Sequence, residues 1–448
     1  MIRKASRQYT QDTHASLRRL NVENPQEYWK IINQCYDVNK DQSSNKVPTM
    51  ADFHDHFKGL HSMSSENDEP VNPAASPYLG AVSTAAPFDT SCINQPFSLQ
   101  EIKEAVRALK TGKASGIDGI VNEFFKCCPL TLLAVITRWF NLILDCGCVP
   151  DEWCLGIISP IYKKKGSPSC PDNYRGVTLL SCIGKLFTSA LNTRLSALLE
   201  SNKQIGPEQA GFRENHSTLD HVFTLRSLLT IYLNSRRRVY AAFLDYRKAF
   251  DLVDRTSLWY KLANSGLSGK LLDVVKGIYS KAKSCVRAQG GLTETFSSGI
   301  GVRQGENLSP LLFSLFINDF KEELSSRVGG MELLLQKAIE LDMSEDFQHM
   351  LDLFVLLYAD DTLILSETED GLQRALTETS TYCNKWKIEI NTQKSKVVVF
   401  SRGKIRNLPD FFIGNSKLEV CFEFNYLAIL SIKPLLGKSD REAELYTP

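Results

Sequence analysis

The sequence predicts an α+β fold in which strands and helices follow one another in irregular order. An apolar run over Val239–Leu244 predicts a strand that ends at Asp245. Two further apolar runs, Leu353–Leu357 and Thr362–Leu365, flank Tyr358-Ala359-Asp360-Asp361 and predict a tight β-hairpin. Apolar residues at helical spacing over Glu369–Trp386 predict an amphipathic helix. This mixture favours an α+β layer over a doubly wound parallel sheet.

Composition narrows the class of protein but not its function. The chain has 448 residues, of which 43% are hydrophobic and 23% charged, as in ordinary globular proteins of two or three domains. No run of about 18 apolar residues is present and no signal-peptide core follows the basic N-terminus, so we expect an intracellular protein without a membrane span. The 12 cysteines form no C-x-x-C pairs, which predicts free thiols rather than zinc sites or disulfides. A net charge of +1 neither supports nor excludes a nucleic-acid partner.

The N-terminal part is predicted to contain a polar segment, a linker and then a folded region. Residues 1–60 are polar with helical stretches, and residues 61–95 are rich in Ser, Pro, Ala and Asn, which predicts a flexible linker. Ser98 followed by Glu101 is a capping-box pattern, which predicts a helix start. The apolar stripe that continues to Leu109 extends this helix, and Gly112 is its predicted stop.

Three more strands are predicted further along the chain. Ile157–Tyr162 forms an apolar run that ends in Lys163-Lys164-Lys165. Val397–Phe400 is a short β-branched strand, and Phe422–Leu430 is expected to add another. The lysine run by itself is typical of a solvated surface.

The carboxylates of the predicted hairpin are the first candidates for chemistry. Asp360 and Asp361 lie at the turn, where an isolated pair is usually solvated. Asp245, at the end of a separate strand, would supply a third carboxylate. Such groups repel one another unless a cation is bound, and hard oxygen ligands suit Mg²⁺. Two divalent ions about 3.5–4 Å apart are the arrangement that clamps the oxygens of a phosphoryl transfer.

An ordered set of motifs resembles those of reverse transcriptases. The segments that resemble polymerase motifs A to E are, in order, Leu244-Asp245-x-x-Lys248-Ala249-Phe250-Asp251, Gly301-Val302-Arg303-Gln304-Gly305-x-x-Leu308-Ser309-Pro310-x-Leu312-Phe313-x-Leu315-Phe316-Ile317-Asn318-Asp319, Tyr358-Ala359-Asp360-Asp361, Asn391-x-x-Lys394-x-Lys396 and Phe424-Asn425-Tyr426-Leu427. Upstream, the segments that resemble the fingers of non-LTR retrotransposon enzymes are Leu109-Lys110-x-Gly112-Lys113-Ala114-x-Gly116-x-Asp118-Gly119-Ile120, Asn173-Tyr174-Arg175-Gly176-Val177-Thr178-Leu179-Leu180 and Gln209-Ala210-Gly211-Phe212-Arg213. On these motifs the chain is identified as a member of the non-LTR (LINE-type) retrotransposon reverse transcriptases.

The resemblance implies a right-hand polymerase with fingers over residues 96–238 and a palm over residues 239–405, its antiparallel sheet backed by helices. Residues 406–430 would form motif E and the primer grip. Residues 431–448 match no recognised pattern, so we expect the thumb to be absent and the chain to be truncated after motif E. Residues 1–95 are too short and polar for an endonuclease. Without a thumb, the isolated chain is expected to bind primer–template weakly and to extend it poorly.

The resemblance also implies roles for individual residues. Asp245 and Asp360 would bind two Mg²⁺ or Mn²⁺ ions, with Asp361 as a weaker ligand beside them, and Lys394 would protonate the pyrophosphate. The residues implied to bind the nucleotide are Lys163, Arg175, Phe250, Gln304 and Gly305, with Phe250 excluding a 2′-hydroxyl. The residues implied to contact primer or template are Arg213, Tyr426 and Leu427. For Phe250 an ordinary core position, and for Lys394 a solvated surface position, are the alternatives.

The leading hypothesis is therefore an RNA-directed DNA polymerase that takes an RNA template, a DNA primer and dNTPs. It would act in the nucleus or in a cytoplasmic ribonucleoprotein, or in both. A catalytically weak or inactive nucleic-acid-binding remnant, without thumb and endonuclease, is the alternative from another class. A maturase of the group II intron type shares the polymerase core and is the third possibility.

Overall fold

The computed structural model describes residues 47–62, 89–328, 355–403, 408–421, 424–427 and 430–432. The chain divides into two compact units. The smaller unit comprises residues 1–48 and 164–173, and its described loop contains the 3₁₀ turn Pro171–Asn173. The side-chain amide of Asn173 donates to the Ser167 carbonyl at 2.8 Å and closes this loop. The larger unit comprises residues 49–163 and 174–448 and contains every other element described below.

The larger unit mixes helices and strands throughout, which confirms the predicted α+β class. The helices are α1 (Met50–His61), α2 (Ser91–Asn94), α3 (Leu99–Ala108), α4 (Asn122–Cys127), α5 (Leu130–Cys146), α6 (Asp151–Cys154), α7 (Cys182–Ser201), α8 (Thr218–Asn234), α9 (Arg255–Asn264), α10 (Lys270–Ser280), α11 (Ser309–Phe316), α12 (Phe320–Val328) and α13 (Glu369–Trp386). The strands are β1 (Leu155–Tyr162), β2 (Tyr174–Leu179), β3 (Val239–Asp245), β4 (Lys283–Ala288), β5 (Gly291–Leu292), β6 (Phe296–Ser297), β7 (Val355–Tyr358), β8 (Asp361–Ser366), β9 (Lys396–Phe400), β10 (Phe411–Ile413), β11 (Ser416–Cys421), β12 (Phe424–Tyr426) and β13 (Leu430–Ile432).

A six-stranded sheet with the order β10-β11-β9-β3-β8-β7 carries the predicted hairpin. Strand β3 is completely buried up to Leu244 and pairs antiparallel with β8 on one side and with β9 on the other. Only the pair β9 and β11 is parallel, so among the described strands the expected antiparallel sheet has one exception. Helix α13 packs on this sheet through Leu372, Leu376 and other buried side chains. The helix has the same bounds as the sequence predicts, because its apolar stripe coincides with one buried face.

A second sheet has the order β2-β1-β4, with β5 and β6 paired to β4. Strand β1 runs antiparallel to β2 and parallel to β4. Phe53 and Phe57 of α1 cover this sheet and form a small apolar cluster with Ile158, Val286 and Phe296. The sequence predicts β1 two residues too short, because Leu155 and Gly156 pair with β4, which sequence periodicity does not reveal.

The capping box at Ser98 is present. The Ser98 hydroxyl accepts the Glu101 N–H at 3.2 Å, and the Glu101 carboxylate accepts the Ser98 N–H at 2.8 Å. The helix ends at Ala108 rather than near Gly112, with Leu109 as its C-cap. Residues 91–94, within the range expected to be a linker, form α2, and Ile93 is buried in the core.

The predicted strand Phe422–Leu430 is wrong as a single element. Strand β12 turns back at Leu427, whose φ of +51° lies in the left-handed region, and pairs antiparallel with β13. Extended backbone cannot continue through such a φ, so the segment becomes a hairpin. The predictions of a polar segment, a linker and an unmatched tail fall largely on residues 1–46, 63–88 and 433–448. These residues lie outside the part of the chain that the structure describes.

Candidate active site

The tight hairpin predicted around Tyr358–Asp361 is present. Tyr358 pairs with Asp361 across a two-residue turn, and Ala359 in that turn has a φ of +56°. Asp361 is also the register partner of Asp245 on the neighbouring strand β3. The three carboxylates expected to act together therefore lie at neighbouring ends of adjacent strands of the six-stranded sheet.

The carboxylates affect one another electrostatically. The pKa of Asp361 is raised to about 6, first by burial and then by the negative charges of Asp360 and Asp245. Burial likewise raises the pKa of Asp360, and Asp245 adds to this effect. The Lys394 ammonium donates to the Asp245 carboxylate at 3.0 Å and opposes both shifts. Within the described ranges, no three His, Cys, Asp or Glu side chains are already grouped closely enough to hold a metal ion. The electrostatic coupling nevertheless suits a cation, since positive charge would relieve it.

The hairpin formed by β7 and β8, called the catalytic hairpin below, is held along β7 and at its turn by the segment Glu208–Gly211. The Ala210 N–H donates to the Leu357 carbonyl at 3.0 Å, and the Leu357 N–H donates to the Glu208 carbonyl at 2.8 Å. The side-chain carbonyl of Gln209, 0% exposed, accepts the N–H of Ala359 at 3.2 Å and that of Gly211 at 2.9 Å. One buried amide thus fixes the turn residue that precedes Asp360. The resemblance places this segment in the fingers and implies no role for Gln209, an uncharged residue followed by Ala210 and Gly211.

A buried histidine packs against the same hairpin. The His221 ring lies edge-on to Tyr358, with centroids 5.9 Å apart. Burial lowers the pKa of His221 to about 4, so the ring is neutral at physiological pH. No sequence motif indicated this contact.

Phe250 lies between the hairpin and the segment that resembles motif B. Its ring stacks on Phe313 at 5.1 Å and 24°, and Phe212, which is 59% exposed, meets it edge-on at 6.4 Å. The Phe250 carbonyl accepts the Val302 N–H at 2.7 Å. Phe250 is only partly buried. It therefore combines core packing on one face with a remaining accessible edge.

Gln304 forms a hydrogen bond to a buried carboxylate. Its Nε2 donates to the Asp251 Oδ1 at 2.7 Å. Burial raises the pKa of Asp251 to about 6, against the effects of this hydrogen bond and of the charges of Lys248, Lys163 and Arg175. The two cations expected to bind phosphate thus lie within electrostatic range of the Gln304 partner.

Gly305 provides a close approach of two backbones. Its φ is +98°, and a Cβ there would lie 2.8 Å from the Thr178 carbonyl oxygen of β2. A side chain at this position is excluded on both grounds. The loop that carries Gln304 is thereby seated directly against the strand that carries Arg175.

Arg255 holds the start of the same loop. Its guanidinium donates to the carbonyls of Gly301 at 2.8 Å, Tyr279 at 2.9 Å, Ser298 at 2.5 Å and Ile300 at 3.2 Å. Burial lowers the pKa of Arg255 to about 10. Such a fork of donors fixes loop backbone that has no strand partner.

Arg213, expected to contact the template, makes several hydrogen bonds within the protein. Its guanidinium forms a two-bond pair with Glu200, at 2.8 Å and 2.7 Å, and also donates to the carbonyls of Gly206 and Gln209 at 2.9 Å. Its side chain is 11% exposed. These donors are engaged inside the protein, which gives Arg213 a structural role. Arg213 supports the segment that holds the catalytic hairpin.

The two residues expected in a primer grip lie on the small hairpin of β12. The Tyr426 ring is 2% exposed and packs on Phe243 with centroids 5.3 Å apart. Its hydroxyl is buried and has no hydrogen-bond partner among the described residues, and burial raises its pKa. Leu427 forms the turn and is partly buried. In this conformation the Tyr426 side chain belongs to the core, and Leu427 in the turn is more accessible than Tyr426.

Comparison with known proteins decides the family. The family model described as "Reverse transcriptase (RNA-dependent DNA polymerase)" matches residues 161–429, more than half of the chain. The chain belongs to this reverse transcriptase family. The identification as a polymerase domain of the non-LTR retrotransposon type is confirmed by the relatives that this domain resembles.

Those relatives include the RNA-directed DNA polymerase from mobile element jockey of Drosophila funebris, 29% identical over 80% of this chain and 37% of its own length. The Pol polyprotein from type-2 retrotransposable element R2DM of Drosophila melanogaster is 26% identical over 84% of the chain and 35% of its own. An uncharacterized 149 kDa protein of transposon TX1 from Xenopus laevis is 29% identical over 71% and 23%. The reverse transcriptase chain thus spans about a quarter to two fifths of the length of these relatives.

A structure of apo telomerase from Candida tropicalis, truncated from the C-terminal domain, is also similar to this reverse transcriptase. It covers 68% of this chain and 59% of its own at 14% identity, with a TM-score of 0.41. Within the described ranges of the chain, no helix is both long enough and apolar enough to cross a membrane.

Proposed function

We propose that this reverse transcriptase domain extends a DNA primer on an RNA template by transferring nucleotides from dNTPs to the primer 3′-hydroxyl. The observation that carries the proposal is the register pairing of Asp245 with Asp361, directly beside Asp360 in the turn. Coupled carboxylates at adjacent strand ends are what a polymerase centre requires. In this proposal the six-stranded sheet is the palm, and the second sheet with its helices forms the fingers.

Asp245 and Asp360 would hold two Mg²⁺ or Mn²⁺ ions, with Asp361 beside them. Their hard oxygen donors and the mutual rise of the Asp360 and Asp361 pKa values fit this role. When bound, the ions neutralise the triphosphate and activate the primer hydroxyl. Binding would require Lys394 to release Asp245, since its ammonium competes for the same oxygen.

The side chains around the carboxylates would bind and orient the nucleotide. Arg175 offers a planar fork for phosphate oxygens, and Lys163 a point charge. The accessible edge of Phe250 would exclude a 2′-hydroxyl. Gln304 and Gly305 would line the nucleotide pocket, where the glycine permits close approach of the backbone. Lys394, once released, would donate a proton to the pyrophosphate oxygen as the bond to the α-phosphate breaks. The turn at Leu427 would support the primer end.

The test is incorporation of labelled dTTP on a poly(rA)–oligo(dT) primer–template, with and without Mg²⁺ or Mn²⁺. We expect metal-dependent incorporation that Asp360→Ala abolishes while RNA affinity is retained. Asp370→Ala, which removes an exposed carboxylate in the first turn of α13, is the matched control. Full activity of Asp360→Ala would refute the assignment of the site.

A nucleic-acid-binding protein without polymerase activity is the second candidate. The 3.0 Å bond between Lys394 and Asp245, which occupies one of the expected metal ligands, supports it. RNA binding without incorporation at any metal concentration would favour this candidate. In either case we propose that the protein acts in the nucleus, in a cytoplasmic ribonucleoprotein, or in both.

A further inference from the structure

A cavity of about 350 Å³ lies away from the catalytic hairpin, between helices α9 and α10 and strands β4 and β6. Its lining includes four cationic side chains, Arg255, Lys276, Lys281 and Lys283, together with Trp259 and several serines. Among the described residues, no Asp or Glu lines it. A concave surface with charges of one sign concentrates ligands of the opposite sign.

The four cations are not equally available. Arg255 donates hydrogen bonds to the carbonyls of the loop that leads to Gln304. Lys281 forms an exposed ion pair with Asp151 at 3.2 Å. The ammonium groups of Lys276 and Lys283 have neither an ion-pair nor a hydrogen-bond partner within the described part of the chain. Lys276 is partly buried and Lys283 exposed, so one lies deep and the other near the mouth.

The surrounding groups suit a phosphate rather than a carboxylate of a protein partner. Ser297 lies at the wall with Gly299, and the Trp259 ring, 5.6 Å from Tyr279, provides an aromatic surface beside the lysines. Cations interleaved with an aromatic ring and hydroxyl groups are typical of sites that bind a phosphate next to a base. The volume matches that of a site for one nucleotide-sized group.

We propose that this cavity binds a phosphate group, with Lys276 and Lys283 as its principal ligands. The phosphate is either part of a polynucleotide backbone or free in solution. This site is separate from the three carboxylates, and the proposal stands whether or not the chain polymerises DNA. Through Arg255 and Ser298 the cavity adjoins the loop that precedes Gln304, so an occupant would lie next to that loop.

The experiment compares the full chain with the double variant Lys276→Gln/Lys283→Gln. The control is Lys103→Gln/Lys203→Gln, which removes the same charge from two lysines that do not line the cavity and form no ion pair with another described residue. Affinity for a labelled single-stranded RNA is measured by anisotropy over a range of salt concentrations. Equal unfolding temperatures in chloride buffer establish that all variants are folded.

For a polynucleotide source, the cavity variant should lose about tenfold in RNA affinity, and its log–log salt slope should fall by about 0.7, the contribution of one single-strand phosphate contact. For free phosphate, millimolar inorganic phosphate should raise the unfolding temperature of the wild type and the control, but not of the cavity variant. Either result supports the site and identifies its source. If the cavity variant matches the control in both measurements, the proposal is wrong.

Discussion

The Gln209 side-chain carbonyl accepts the backbone N–H of Ala359 at 3.2 Å, although 150 residues separate the two in the chain. This contact joins the segment before α8 to the turn that presents Asp360. It makes the geometry of the catalytic hairpin depend on a residue that carries no charge and does not face the substrate.

Gln209→Leu should slow primer extension by about 10- to 100-fold, because two buried N–H groups lose their acceptor and the turn is no longer fixed. Single-turnover extension rates measure this effect. Gln204→Leu is the control, since the Gln204 side chain bonds only to Asn202 within its own turn. RNA affinity should stay within about twofold of the wild type. An unchanged rate in Gln209→Leu would show that β7 and β8 hold the turn without help.

Gly211→Ala should impair both stability and extension. A Cβ at residue 211 would lie 2.3 Å from the Ala359 nitrogen, so the backbone of the catalytic turn must move. Overpacking of this kind costs about 1–3 kcal/mol of unfolding free energy. Denaturant melts and extension assays measure the two effects. Gly59→Ala, where no atom lies within 4 Å of the new Cβ, is the control; a similar result for both variants would contradict the contact.

Asp251→Asn should stabilise the protein at neutral pH and flatten its pH profile. The pKa of Asp251 is about 6 in the folded protein against 3.8 ordinarily, so the folded state binds the proton more tightly. The stability that this proton confers is present below pH 4 and is lost as pH rises through 6. The variant should gain about 1–2 kcal/mol at pH 7 relative to pH 4. Urea melts at the two pH values measure the gain, and an equal change in stability from pH 4 to pH 7 in the wild type and the variant would contradict this assignment.

Phe250→Ala should allow ribonucleotides to be incorporated. The ring edge beside Phe212 would no longer exclude a 2′-hydroxyl, and we expect the preference for dTTP over UTP to fall by about 10- to 100-fold. Competition assays with both nucleotides measure the ratio. Phe313→Leu, which removes the stacking partner but leaves Phe250, is the control. An unchanged ratio in Phe250→Ala would support an ordinary core role for this ring.

Sequence patterns predict the site where the signal is local. The hairpin at Tyr358–Asp361, the strand that ends at Asp245 and the helix Glu369–Trp386 follow from apolar spacing and turn residues, and all three are present. The proximity of Asp245 to Asp361 follows from a resemblance and not from spacing, because strand order is a property of the whole sheet.

The remaining assignments depend on contacts between distant segments. Arg213 resembles a phosphate ligand in the sequence, yet Glu200 and two carbonyls occupy its donors, and nothing in its neighbours announces them. Tyr426 lies in a matching motif, but Phe243 determines that its ring is buried. The two hydrogen bonds that the Gln209 side chain accepts, from Ala359 and from Gly211, cannot be read from the sequence for the same reason. Residue type predicts what a side chain can bind, and tertiary packing decides which partner it has.

Strand β3 lies inside the six-stranded sheet, hydrogen-bonded to β8 and β9 at once, and Asp245 is its last residue. Its amides can reach solvent only when a neighbouring strand separates, so they should exchange their hydrogens about as slowly as the whole domain unfolds. Local fraying would expose the Lys394 loop long before it released Asp245. A partly unfolded chain would therefore keep its central aspartate in place and lose first the groups that surround it.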